Sequence, residues 1–478
     1  MFLRKFRKHL LALVLVILCL IAYDPLKFEN TSGDTISARY WPVAILQHHT
    51  IYLDPFKTDL KNVNYAALHF GETWIPRTDW GLAVLTIPVY AVAHFLDLGG
   101  EEWTHDRISY LSRSNAILIA IGSVLLLYFF LNNFVSPFTA FLSAALFAFG
   151  TWNWSMAAQG LTSQSASLLI TVLIMIAIWR FCLSPRWPTA ALLGLLCAWL
   201  WATRPSELPL VFPIIPLLVT RKRLPSFLFA GAILTGLIML GYNYMYETPY
   251  GWRDALMQVN TETSPQDQFW TLNIFPGLLG LLFSPNRGAI VFFPLLLLVP
   301  FIWHRYYPIR TLPSLIKNSI RLDFGQWHSS KIVRGIPVDF LTFLIAGTIL
   351  FLTSISALTF WHSTWSYGAR YLYNLLPFTW IFLTLVFQDI IDSINERKLK
   401  PPVWLVTLFT LFSLQGVFIH WLGHRNFDIY VWNSKIVDIQ DRHAWDFDNL
   451  MIPEVIEAGE NYKRWPKDAL TRLRHYGF

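Results

Sequence analysis

Apolar runs of membrane-spanning length recur along this chain and constrain its fold more than any motif does. They lie near 9–23, 81–97, 114–131, 137–150, 164–182, 189–203, 207–220, 225–244, 288–303, 336–360, 374–392 and 403–421. A hydrocarbon core takes about 20 apolar residues of helix, and a helix satisfies its own backbone N–H and C=O groups where water is absent. Hydrophobic residues make up 54% of the 478 and charged residues only 14%, a balance that a soluble protein of this length could not solvate. The expected fold is an all-α polytopic membrane protein with about 11–13 transmembrane helices. A weaker stretch, "LNIFPGLLGLLFSP" at 272–285, is broken by Pro and Gly and reads as re-entrant or interfacial.

The net charge of +7 is carried by short connectors: Arg4–Lys8, Arg221-Lys222-Arg223, the loop 304–335 and Glu396–Lys400. The positive-inside rule places these in the cytoplasm, so the charge is not a nucleic-acid footprint. The first run has a basic start like a signal peptide but no small-residue cleavage site before Asp24-Pro25, and reads as a retained first span. Loop 24–80 is then outside, and residue 183 is inside, so an odd number of crossings separates them. Four runs lie between; the weakest, 81–97, contains Pro88, His94 and Asp97 and is expected to lie at the interface or to dip in and return. The tail, 422–478, ends outside and reads as a small cap. Cys19, Cys182 and Cys197 sit in or beside apolar runs, which argues against a disulfide framework or a zinc site. No inner segment carries a phosphate-cradling Gly-rich loop.

Candidate chemistry therefore collects at the outer end. Gly33 and Asp34 open "TISARYWPVAILQHH", a segment that reads as amphipathic and interfacial. Asp34 suits a general base, a ligand for a divalent cation, or a helix cap. His48 and His49 point about 100° apart on a helix and cannot easily share one metal. Asp54 precedes Pro55 and starts a turn. Arg77 and Asp79 precede an apolar run and can pair at the surface. Arg113 and Arg204 are cations at an outer boundary, against the inside bias, and guanidinium grips phosphate through a planar fork; snorkelling explains them equally. Arg287 starts a span. Arg370 stands among Trp361, Trp365, Tyr367, Tyr371 and Tyr373, rings that can face a sugar or simply form an interfacial belt.

The order of "GDTISARYWPVAILQHHTIYLD", "RTDWGLAVLTIPVYAVAH", "FGTWNWSMAAQGLTSQSASLL", "ATRPSELPL", "YNYMYETPYG", "FSPNRGAIVF" and "WSYGARYLYNLLPF" resembles the GT-C class of integral-membrane glycosyltransferases, over residues 1–421. That class includes protein O-mannosyltransferases and lipid-linked aminoarabinose transferases. Thr35 stands where the class often has Glu, its usual Pro-Pro after the first loop is missing, and Ser163-Gln164 replaces a frequent Gln-His. The resemblance implies a GT-C-like transmembrane domain with its first outer loop at 24–80. It further implies a polyprenyl-phosphate-linked sugar donor, a lipid, glycan or protein acceptor, and a site on the outer face of a bacterial inner membrane. Asp34 is the implied catalytic base, with Arg77, Asp79, Arg113, Arg204, Arg287, Arg370 and Tyr371 as substrate contacts. Two other readings remain open: a transporter or flippase for lipid-linked saccharides, and an O-antigen-ligase-like or polymerase-like transferase.

Overall fold

The computed structural model describes residues 2–25, 33–60, 67–70, 72–96, 103–252, 254, 270–306, 332–333, 335–363, 366–396, 402–426, 432 and 441–461. Among them, seven helices are long and apolar enough to cross a membrane: Phe6–Tyr23, His105–Leu131, Ser163–Leu183, Leu224–Tyr246, Val338–Ser356, Arg370–Ile394 and Val403–Arg425. The chain is an all-α polytopic membrane protein in this sense. Its principal helices are α1 (Phe2–Tyr23), α2 (Gly33–Gln47), α3 (Trp80–Phe95), α4 (His105–Leu131), α5 (Pro137–Phe149), α6 (Ser163–Leu183), α7 (Trp187–Thr203), α8 (Leu224–Tyr246), α9 (Ile274–Phe283), α10 (Val338–Ser356), α11 (Leu376–Glu396), α12 (Val403–Asn426) and α13 (Met451–Asn461).

Polar side chains at the helix ends define the two ends of the bundle. At one end, Tyr128 Oη donates to Lys8 O at 2.8 Å, Arg223 Nε to Pro185 O at 3.1 Å, and Gln388 Oε1 accepts from Ser136 N at 3.0 Å. Arg221 pairs there with Asp339 at 3.4 Å. This is the basic end. At the other, Tyr23 Oη donates to Ala148 O at 3.1 Å, Tyr242 Oη to Ala202 O at 3.1 Å, and Arg204 Nη1 to Ser163 Oγ at 3.4 Å. Successive segments α4, α5, α6 and α7 thus alternate in direction between the same two ends.

Helix α3 does not follow that alternation. Gly81 O accepts from Trp199 Nε1 at 3.0 Å, close to the end of α7. Thr86 O accepts from Asn115 Nδ2 at 3.1 Å. Its far end packs Tyr90 and His94 on Trp103, with ring centroids 6.0 and 6.2 Å apart. Both ends are therefore tied to the Tyr23 end. Sixteen residues also rise only about 24 Å, less than a hydrocarbon core. The parity argument from charge is met by a helix lying across the bundle end. Helix α9 behaves alike: Thr271 N bonds Ala357 O at 2.7 Å just before it, and a Cβ at Gly277 or Gly280 would overlap Ser356 O or the Trp361 ring.

The first loop differs from its sequence reading. Helix α2 is buried from Thr35 to Ala44 on every side, so it is not an amphipathic surface helix. Trp41 packs on Trp80 and donates to Ile51 O at 2.9 Å, while Tyr40 packs on Phe56, 4.8 Å between centroids. His48 and His49 fall beyond its end, and His49 takes a left-handed backbone (φ 52°). Asp54 does open a 3-10 turn, Asp54–Phe56, and accepts from Trp74 N at 2.9 Å. Strands β1 (Ala67–Phe70) and β2 (Thr73–Pro76) form an antiparallel hairpin that the hydropathy pattern did not signal. With α3 and the start of α4 these elements enclose a second apolar core, separate from that of the bundle. The tail, by contrast, adds Trp432, Ala444, Met451 and Val455 to the bundle core, and α12 runs on to Asn426, past the expected boundary at 421.

Helices α7 and α8 meet glycine to glycine. A Cβ at Gly194 would overlap the Phe227 carbonyl oxygen, and one at Gly231 would sit 3.2 Å from Gly194 O, whereas Gly236 faces open space. Small residues let membrane helices approach in this way. Gly194→Ala should lower stability by about 1–3 kcal/mol through overpacking, and Gly236→Ala should leave it unchanged or slightly raised. Thermal unfolding in detergent of the two variants checks this.

Candidate active site

The site residues are held by a turn that ends the second hairpin of spanning segments. After α5 the chain enters a π-helical turn, Asn153–Ala157, a form often found where side chains must be re-aimed. Several side chains here reach segments far away in the chain. Trp152 Nε1 donates to Tyr367 O at 2.8 Å, and Asn153 bridges Tyr23 Oη at 2.7 Å and Tyr373 Oη at 2.6 Å. Trp154 Nε1 donates to Ala22 O at 3.0 Å. Ser155 donates to His420 Nδ1 at 2.8 Å, whose Nε2 then donates to Phe292 O at 2.9 Å. Gln159 contacts His424.

Arg113 belongs to this frame. It is 1% exposed; Nη2 donates to Tyr23 O at 2.9 Å, Nε to Asp24 O at 3.1 Å, and Nη1 to Gln159 Oε1 at 3.1 Å. The last carbonyls of a helix lack intrahelical donors, and here Arg113 and Trp154 supply them for α1. These contacts make Arg113 a strut of the bundle end.

Arg204, Arg287, Arg370 and Tyr371 converge. Arg204 closes α7, and a 3-10 turn, Pro205–Leu210, follows; a second, Arg370–Leu375, precedes α11. The Arg204 guanidinium lies 5.4 Å from the Tyr371 ring centre, and Arg370 lies 6.0 Å from it. A ring face attracts cations in this way. Arg204 Nε pairs with the buried Glu207 Oε1 at 2.7 Å. Arg287 is fully enclosed. Its Nη1 donates to Ser366 O at 2.5 Å, and its guanidinium covers Trp432 at 5.0 Å. Burial and the nearby Arg370 charge lower its pKa to about 9. The tail is latched over Arg287 by the neighbouring Asn286, whose Nδ2 donates to His443 O and Asp446 O at 2.9 Å each and whose Oδ1 accepts from Met451 N at 2.8 Å.

Arg77 and Asp79 are joined through Trp252. The Arg77 guanidinium lies 4.9 Å from its ring centre, and its indole N–H donates to Asp79 Oδ1 at 3.2 Å. Arg77 N also bonds Ser37 Oγ at 3.1 Å, one helical turn beyond Asp34. Asp34 lies in the first turn of α2; its side chain is outside the described residues. Among the described residues no group of three His, Cys, Asp or Glu could hold a metal ion. Glu207, Asn374, Trp432 and His362 are site residues that sequence reasoning did not single out. Only Glu207 carried a signal, a carboxylate three residues after an arginine in an apolar setting. Comparison with protein-family models and with curated proteins finds no match to this chain.

His362 is 3% exposed, and its pKa is lowered to about 4 by burial first, then by Arg287 and His443. Its folded pKa lies below the unfolded value of about 6.5. The stability tied to the neutral ring is therefore complete above 6.5 and is lost as pH falls toward about 4. Unfolding measured across that window should lose part of its pH dependence in His362→Gln.

Proposed function

We propose that this chain is an integral-membrane glycosyltransferase that moves a sugar from a polyprenyl-phosphate donor to an acceptor hydroxyl on the outer face of a bacterial inner membrane. The observation that carries the reading is Tyr371 flanked by Arg204 and Arg370, with Arg287 behind Arg370. Clustered guanidinium groups suit a phosphate, and an aromatic face among them suits a sugar ring. The basic end of the bundle is the cytoplasmic one under the positive-inside rule, which leaves this cluster at the outer end.

In this reading the acceptor oxygen attacks the anomeric carbon and displaces the polyprenyl phosphate, inverting that centre. The carbon–oxygen bond to phosphate breaks, and its electron pair leaves on the phosphate. The acceptor proton passes to the Asp34 carboxylate. Arg204 and Arg370 stabilise the charge that develops on the leaving group. Arg287, sealed under Trp432, adds to the local positive potential. A phosphate is a good leaving anion, so no acid is required.

A deletion strain should lose one sugar from an envelope glycan and accumulate the unused lipid-linked sugar, as read by mass spectrometry. The wild-type gene should restore both. Arg370→Ala should cut transfer by about 10²–10³-fold, as for loss of one charge-stabilising donor, and Asp34→Asn should fail to restore the glycan. Full restoration by a folded Asp34→Asn protein would remove Asp34 from the mechanism and favour a transport role.

A further inference from the structure

The two 3-10 turns face each other with a matched period. In a 3-10 helix, residues i and i+3 eclipse. Tyr371 and Asn374 are so related in the second turn; at the first, Arg204 is the extended N-cap and Glu207 N bonds its carbonyl at 3.1 Å. The result is a ladder of two rungs. Arg204 lies on Tyr371, and the Glu207 carboxylate stands beside the Asn374 amide. Helix α6 backs the ladder with serines one turn apart: Ser163 Oγ accepts from Arg204 Nη1 at 3.4 Å, and Ser167 Oγ lies 2.6 Å from the Asn374 amide.

Hydrogen-bond accounting fixes the sense of the second rung. With Asn374 Nδ2 on Ser167, two buried oxygens lack donors, Glu207 Oε2 and Asn374 Oδ1. Such orphans are costly in a residue 0% or 1% exposed. Amide oxygen and nitrogen have nearly the same shape, and their assignment follows from the network. Exchanging them turns Nδ2 toward Glu207 Oε2 and Oδ1 toward Ser167, whose hydroxyl then rotates from Gln164 O, 3.1 Å away, to donate to it. Both orphans are then satisfied.

We infer that Glu207, held by Asn374 and Ser167, is the positioning residue that grips Arg204 by its Nε edge and presents the Nη2 edge beside Tyr371 to a phosphate monoester. This rests on the phosphosugar reading above. Guanidinium has five donors in a rigid fork. Engaging Nε with Glu207 and Nη1 with Ser163 fixes the plane and leaves the remaining edge directed by geometry rather than by rotamer averaging. A lysine could not be held and presented at once.

The test uses the full chain in lipid nanodiscs, with polyprenyl monophosphate and the matching polyprenol as probes. The readout is the preference for phosphate over alcohol, a ratio that a merely structural defect does not change because it weakens both lipids together. Glu207→Gln should reduce this preference about tenfold. Arg204→Lys should reduce it by a similar factor, and the double variant by no more than either alone. Ser167→Ala, which removes only the far end of the chain, should reduce it about two- to threefold, and carries the test if Glu207→Gln does not fold. A folded Glu207→Gln or Ser167→Ala protein with wild-type preference overturns the inference while leaving the phosphosugar reading intact. A wild-type protein that binds both lipids equally overturns both.

Discussion

The structure hangs on how the helix ends around Tyr23 are satisfied once water is excluded from them. The turn around Asn153–Ala157 supplies most of the answer, because its indoles, amides and hydroxyls each reach a different neighbour. Arg113 completes it by holding the last carbonyls of α1. Unmet polar groups in such a setting cost several kcal/mol each. The same bonds therefore decide both where the spans stop and how closely they stand. The arginine cluster inherits its rigidity from this frame, since Tyr367 and Tyr373, which flank Tyr371, are both held by it.

Within that frame the charges fall into two groups with different physics. Arg113 spends its donors on backbone and on Gln159 and has become part of the scaffold. Arg204 and Arg370 face the Tyr371 ring, Arg287 faces Trp432, and Glu207 pairs with Arg204. Burial first, and the like charge of Arg370 second, lower the pKa of Arg287. Function-bearing sites often carry such shifts.

The spans were legible because a hydrocarbon core demands length and apolarity, properties local to each run. Charge parity required one run between 80 and 183 not to cross, and α3 is the one whose two ends both reach the Tyr23 end. What the sequence concealed depends on partners far along the chain. Helix α2 reads as amphipathic because Ser37 and Arg39 look like a solvated face, yet Arg77 and the Tyr40–His105 pair bury that face. The hairpin at Ala67–Pro76 is too short to show a period among polar neighbours. Arg113 and Arg204 carried equal signals, and only three-dimensional neighbours separate a helix-end strut from a ring-facing cation. Asn374 and Ser167 carried none, since Asn and Ser in an apolar run are indistinguishable from ordinary interior residues.

The Asn286 latch has a bearing on the order of assembly. Arg204, Arg287 and Arg370 leave the ribosome in sequence, but Trp432 and Met451, which enclose Arg287, emerge after the last span. Domains assemble from the N-terminus during synthesis, over seconds for stretches of this size. Arg287 is therefore covered only after Trp432 and Met451 have been made, and a chain cut after α12 would insert with that guanidinium uncovered by them. Packing around Arg287 thus reports that synthesis has passed Met451.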